Sequence, residues 1–135
     1  MEVKNARCTF LTNQEVLVLL KEANQAVRPK NESLQQHKTV LYESIKYLEA
    51  TPAAQQSEAN VRALMKEMQK FKMTPAELLQ VVNLRPRNLV DIEMILEECD
   101  ERYTEEQTAE MLDLIKRHLP EAPVKTEVVE TPPAK

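Results

Sequence analysis

The stretch NLRPRNLVDIEMILEECDERYTEEQ, Asn83 to Gln107, decides the reading of this chain. Pro86 stops whatever helix precedes it, and Asn88 is a strong N-cap for the next. Leu89, Ile92, Ile95, Leu96 and Cys99 then recur on one face at the period of a single helix. An acidic break, EECDER, follows. Thr104-Glu-Glu-Gln107 opens another helix as a capping box, the hydroxyl taking the backbone N–H at Gln107 and the amide reaching back. A segment written this way is helix, corner, helix.

Outward from it, the same punctuation repeats. Downstream, Met111, Leu112, Ile115 and Leu119 continue the last helix, whose acidic first turn (Glu105, Glu106) and basic last turn (Lys116, Arg117) suit the helix dipole. Upstream, Thr74-Pro75-Ala-Glu77 starts a short helix with Met73 and Leu78 as staple. Ser57 caps a helix with Val61, Leu64, Met65, Met68 and Phe71 on one stripe. Further back, a helix over Leu34 to Glu49 carries Leu34, Leu41, Ile45 and Leu48 on a face, with Val40 and Tyr47 beside them. The first helix begins at the capping box Thr12-Asn-Gln-Glu15, stapled by Leu11 and Val16, and ends near Val27 because Pro29 follows. The fold class is all-α, with six helices. The expected division is an N-terminal partner-associated region at 1–56, a four-helix domain at 57–119 and a disordered, proline-rich tail at 120–135.

Composition agrees. The 135 residues suit one modest domain with appendages. Only 4% are aromatic and there is no Trp, so the core must be built from Leu, Val, Ile and Met. No glycine occurs anywhere, which excludes the phosphate-binding P-loop, the GxGxxG dinucleotide turn and the EF-hand loop. A net charge of −4 is too small and of the wrong sign to drive binding to nucleic acid or an anionic membrane. Cys8 and Cys99 lie far apart and follow no signal-like segment, which reads as a reduced, intracellular protein. The longest apolar run, Val16 to Leu20, is far short of a membrane span.

Chemistry is hard to find. The carboxylates of the acidic break point in several directions at helical and turn spacing, so a metal site is not expected. Cys99 falls on an apolar stripe, where a thiol behaves as a small hydrophobe, and His118 closes the last helix, where the dipole favours a cation. No catalytic, cofactor or metal residues are assigned. Charge is uneven: residues 57–87 are basic and 88–119 acidic. Lys66, Lys70, Lys72, Arg85 and Arg87 are the candidates for a secondary nucleic-acid or factor contact. Charge runs are ordinarily solvated faces, and no stacking aromatic accompanies these cations outside the core stripe, so direct nucleic-acid binding is expected to be weak or absent. The first helix is more telling, because Leu17 and Val18 fall outside the stripe of Val16, Leu19, Leu20 and Ala23. A helix that packs on its own domain alone needs a single stripe.

The residues Leu84, Arg85, Pro86, Val90, Ile92, Ile95, Glu97, Glu98, Glu101, Arg102 and Thr104 to Gln107 resemble the C-terminal domain of a family of RNA polymerase stalk subunits. The family comprises the fourth subunit of RNA polymerase II, its archaeal counterpart and the small stalk subunit of RNA polymerase III, also called calcitonin gene-related peptide receptor component. The opening MEVKNA, FLTNQEVLVLL and TVLYESIKYLEATP are similar to the polymerase III branch. The resemblance covers about residues 1–119. It implies a helical bundle of the helicase and ribonuclease D C-terminal (HRDC-like) type and a noncatalytic role. It further implies a heterodimer with a larger stalk subunit carrying an oligonucleotide-binding (OB) barrel, a place on the nuclear polymerase core, no membrane, and contacts with an initiation factor. The surface for the larger subunit is expected at Phe10, Leu11, Val16, Leu17, Val18, Leu20 and Leu41, with Phe10 to Thr12 able to extend a partner's sheet edge. Two other readings are a signalling adaptor of a peptide-hormone receptor and the equivalent stalk subunit of RNA polymerase II.

Overall fold

A computed structural model describes residues 2–28 and 30–121. Among them there are helices and no strand, so the chain is all-α. In order these are α1 (Asn13–Ala26), α2 (Glu32–Glu49), α3 (Glu58–Met68), α4 (Pro75–Leu84), α5 (Leu89–Ile95), α6 (Cys99–Arg102) and α7 (Glu105–His118). Two short 3-10 turns, Pro52–Gln55 and Gln69–Phe71, follow α2 and α3. The expected disordered tail lies outside the described residues, apart from Pro120 and Glu121.

Side-chain caps fix where most helices begin. Thr12, Thr74 and Thr104 each form the full reciprocal capping box. Ser57 and Asn88 accept from the backbone N–H three residues on. Asn31 does the same for Leu34, so α2 starts two residues ahead of its first apolar position. Each such cap is worth about 1 kcal/mol.

One helix differs from its sequence reading. The stripe through Leu89, Ile92, Ile95, Leu96 and Cys99 predicts a single helix, yet α5 ends at Ile95 and Leu96 turns extended. Glu98 is left-handed, with φ 51°, and α6 begins at Cys99. Ile92, Leu96 and Cys99 still reach the core. The cause is tertiary: the Glu97 N–H donates to Glu77 Oε1 at 3.1 Å instead of continuing the helix.

The main core lies wholly in α3 to α7 and their ends. Leu64, Met68, Val81, Val82, Ile92, Met111, Ile115 and Leu119 are fully buried there. α3 and α7 are packed together and tied at their rims by Glu67 with His118 and by Lys70 with Glu110. The first two helices pack on each other and on the Pro52–Gln55 turn, burying Leu17, Leu41, Leu48 and Ala53. Lys21 and Glu49 pair at 2.8 Å across them. Two polar ties join this N-terminal unit to α4: the Asn13 N–H donates to Asn83 Oδ1 at 2.9 Å, and Gln56 Nε2 to the Val82 carbonyl at 2.7 Å.

Candidate functional site

Nothing among the described residues gathers into a catalytic centre, so the candidate site is a set of surfaces. The most unusual lies in the N-terminal unit. Every residue from Lys30 to Val40 is exposed, although Glu32–Val40 is half of helix α2. The buried side chains of α2, Leu41 and Leu48, both lie in its second half. Exposed apolar side chains accompany it: Val40 (64%), Tyr42 and Tyr47 on α2, and Val18 and Leu19 on α1.

The residues expected to form the partner surface divide. Phe10 is 86% exposed, and Leu11 and Val18 are also exposed. Val16 and Leu20 are half-buried. Leu17 and Leu41 are buried within this chain and form the small core that holds α1 against α2. Their part in any partner surface is therefore indirect: the side chains beside them make it. Leu19, Tyr42 and Tyr47 lie outside the expected set, and the sequence places Val40 and Tyr47 only beside the second helix's stripe. Two apolar lines on one helix, one facing inward and one outward, are the available signal.

Phe10 also rims an apolar groove of about 420 Å³, floored by Met65, Leu78 and Leu79 and bounded by Pro75 and Ala76. The chain enters the groove extended, and Thr12 at its end has φ −69° and ψ 156°. The geometry suits an extended segment running beside α3 and α4.

The five basic candidates are not assembled into one patch. Lys66, Lys70 and Lys72 lie on or just after α3, whereas Arg85 and Arg87 follow α4, whose ten residues span about 15 Å. Arg85 is a correction to the expected contact. It is only 6% exposed, its Nε–H donates to the Leu119 carbonyl at 3.1 Å, and it thereby caps the end of α7. Arg87 lies 3.9 Å from Glu121, and Lys70 is paired to Glu110 with its ammonium 5.0 Å above the Phe71 ring. Lys66 and Lys72 are both exposed and have no acidic partner among the described residues.

The acidic corner is organised by Glu77, which the sequence offers only as the N3 member of a capping box. Buried at the start of α4, its carboxylate accepts from Arg102 through both oxygens, at 2.6 and 3.2 Å, and from the backbone of Thr74 and Glu97. The Arg102 guanidinium holds the Glu77 carboxyl down to about 2, against the opposing cost of burial. Arg102 also donates to the Glu97 carbonyl and to Tyr103 Oη, whose own O–H donates to the Phe71 carbonyl. Cys99 is buried, and burial pushes its thiol up, with Asp100 and Glu93 adding to the effect. No group of three His, Cys, Asp or Glu side chains among the described residues is placed to hold a metal. No described helix is long and apolar enough to cross a membrane.

The fold is thus all-α, with exposed apolar side chains on its first two helices. Comparison with known proteins places it more narrowly. The model of the RNA polymerase Rpb4 family matches residues 10–119, and the chain belongs to that family. It is 30% identical over 132 residues to DNA-directed RNA polymerase III subunit rpc9 of Dictyostelium discoideum, covering 90% of this chain and 92% of that one. The rpc9 subunit of Schizosaccharomyces pombe is 29% identical over 136 residues, covering 89% of this chain and all of the relative. A shorter match, 39% identical over 67 residues, is to RPC9 of Saccharomyces cerevisiae, across 50% of this chain and 42% of that one. The resemblance read from the sequence, polymerase stalk subunits with the polymerase III branch foremost, is the one these comparisons give.

Proposed function

We propose that the chain is a noncatalytic subunit of nuclear RNA polymerase III that pairs with a larger, OB-fold-containing stalk subunit and serves transcription initiation. Family membership and three relatives named as polymerase III subunits support the polymerase. The exposed first half of α2 is the single observation that carries the pairing. A small core of three leucines and Ala53 holds α1 and α2, while Val18, Leu19, Val40, Tyr42 and Tyr47 remain outside it. Covering them with a partner stabilises both the helix and its apolar face. Phe10 to Thr12 contributes an extended segment at the rim of the groove beside α3 and α4.

Within this reading residues 57–119 form the HRDC-like body, and residues 1–56 the arm that holds the partner. Lys66 and Lys72, with Lys70 and Arg87, remain the proposed secondary contact for an initiation factor, and Arg85 serves the fold. The test is reconstitution with the purified OB-fold subunit. Val18→Asp with Tyr47→Asp should abolish the heterodimer on size-exclusion chromatography while the free chain keeps its helical circular dichroism. Retained pairing would move the interface away from α1 and α2.

A further inference from the structure

On the opposite part of the chain, helix α5 presents an apolar face that neither the core nor the proposed arm uses. Val90 and Met94 are 60% and 83% exposed, and with Glu93 they share one side of α5 at i, i+3, i+4 spacing, turned away from buried Ile92. Beside Glu93 the α5–α6 break opens a surface hollow of about 310 Å³. It is lined by exposed Glu93, Glu98, Asp100 and Glu101, with buried Leu96 and Cys99 beneath them.

None of these four carboxylates has a cationic partner among the described residues. The neighbouring cation, Arg102, is committed to Glu77, the Glu97 carbonyl and Tyr103. Negative charge next to exposed Val90 and Met94 selects its occupant by complementarity. A lysine or arginine head meets the carboxylates, while its stem and apolar side chains one turn away cover Val90 and Met94. Nucleic acid and anionic membranes are repelled by the same walls.

We propose that α5 and the α5–α6 hollow form a second docking site, for a basic amphipathic segment of a protein partner. It is independent of the arm formed by α1 and α2. The test uses the full-length, 15N-labelled chain and a synthetic helix-forming peptide of leucine and lysine, with a glutamate-for-lysine peptide as comparison. Amide shifts confined to residues 89–101 and produced by the lysine peptide alone are expected. Glu93→Lys with Asp100→Lys, and separately Met94→Asp, should weaken binding by about tenfold or more, the range for charge and apolar anchors at an interface. Equal binding of the glutamate peptide, shifts concentrated on α1 and α2, or charge reversal without effect would overturn the site. Self-association of the chain that is broken by the same reversals would overturn it too, because the occupant would then be a second copy. Binding by the wild-type chain that ignores salt would contradict the charge complementarity directly.

Discussion

Glu77 shows how one side chain decides a corner. It caps α4, takes the N–H that would have continued α5, and fixes Arg102 over the break. Because its folded-state carboxyl lies lowered from 4.5 to about 2, its contribution is fully present above pH 4.5 and is lost as pH falls toward 2. That interval corresponds to on the order of 3 kcal/mol. Glu77→Gln should therefore lose on the order of 2–3 kcal/mol at pH 7 and flatten the fall in stability between pH 4.5 and 2, measured by urea unfolding at each pH. An unchanged acid profile would assign the acid sensitivity elsewhere. The glycine-free chain must also fill left-handed positions with other residues: Lys72, Arg85 and Glu98 have φ of 53°, 48° and 51°. Lys72 has no acidic partner among the described residues, so its backbone is the simplest to test. Lys72→Gly should raise stability by about 0.5–1 kcal/mol, with thermal unfolding as the readout. Arg85→Ala should cost about 2 kcal/mol, since it leaves the Leu119 carbonyl without its buried donor, whereas Lys66→Ala should leave stability within about 0.5 kcal/mol.

At the scale of elements, caps and stripes carry most of the fold. Thr12, Ser57, Thr74, Asn88 and Thr104 mark helix starts in the sequence and do so in space. The α5–α6 break is not legible there, because its cause is a carboxylate twenty residues away and periodicity reports only neighbours. The buried state of Arg85 is hidden for the same reason: its partner is a carbonyl at the far end of α7. The candidate surface is half legible. Excess apolar width on α1 is met by exposed Val18 and Leu19, but which line faces inward depends on how α1 crosses α2. Periodicity alone therefore sets Leu17 outside the stripe of α1, where it is in fact buried, and sets Val40 and Tyr47 only beside the stripe of α2, where they are exposed. A contrast between variants tests this division. Leu17→Asp should unfold the N-terminal unit, seen as loss of amide protection in α1 and α2, whereas Val18→Asp should leave protection intact and remove only partner binding.

The whole molecule is a packed body with an under-packed arm. Body and arm are joined by polar ties, Asn13 to Asn83 and Gln56 to Val82, and every residue in the first half of α2 is exposed. Such an arm suits the proposed pairing, in which a partner completes the surface left exposed on α1 and α2. The family match over residues 10–119 spans body and arm together, so both belong to the family's common unit. The most direct test is to tag the chain at its native expression level, purify it in moderate salt and identify what elutes by mass spectrometry. The account predicts near-stoichiometric recovery of polymerase III core subunits with an OB-fold stalk partner, both lost from the Val18→Asp, Tyr47→Asp variant. Recovery of polymerase II subunits instead, or a folded chain eluting alone, would contradict it.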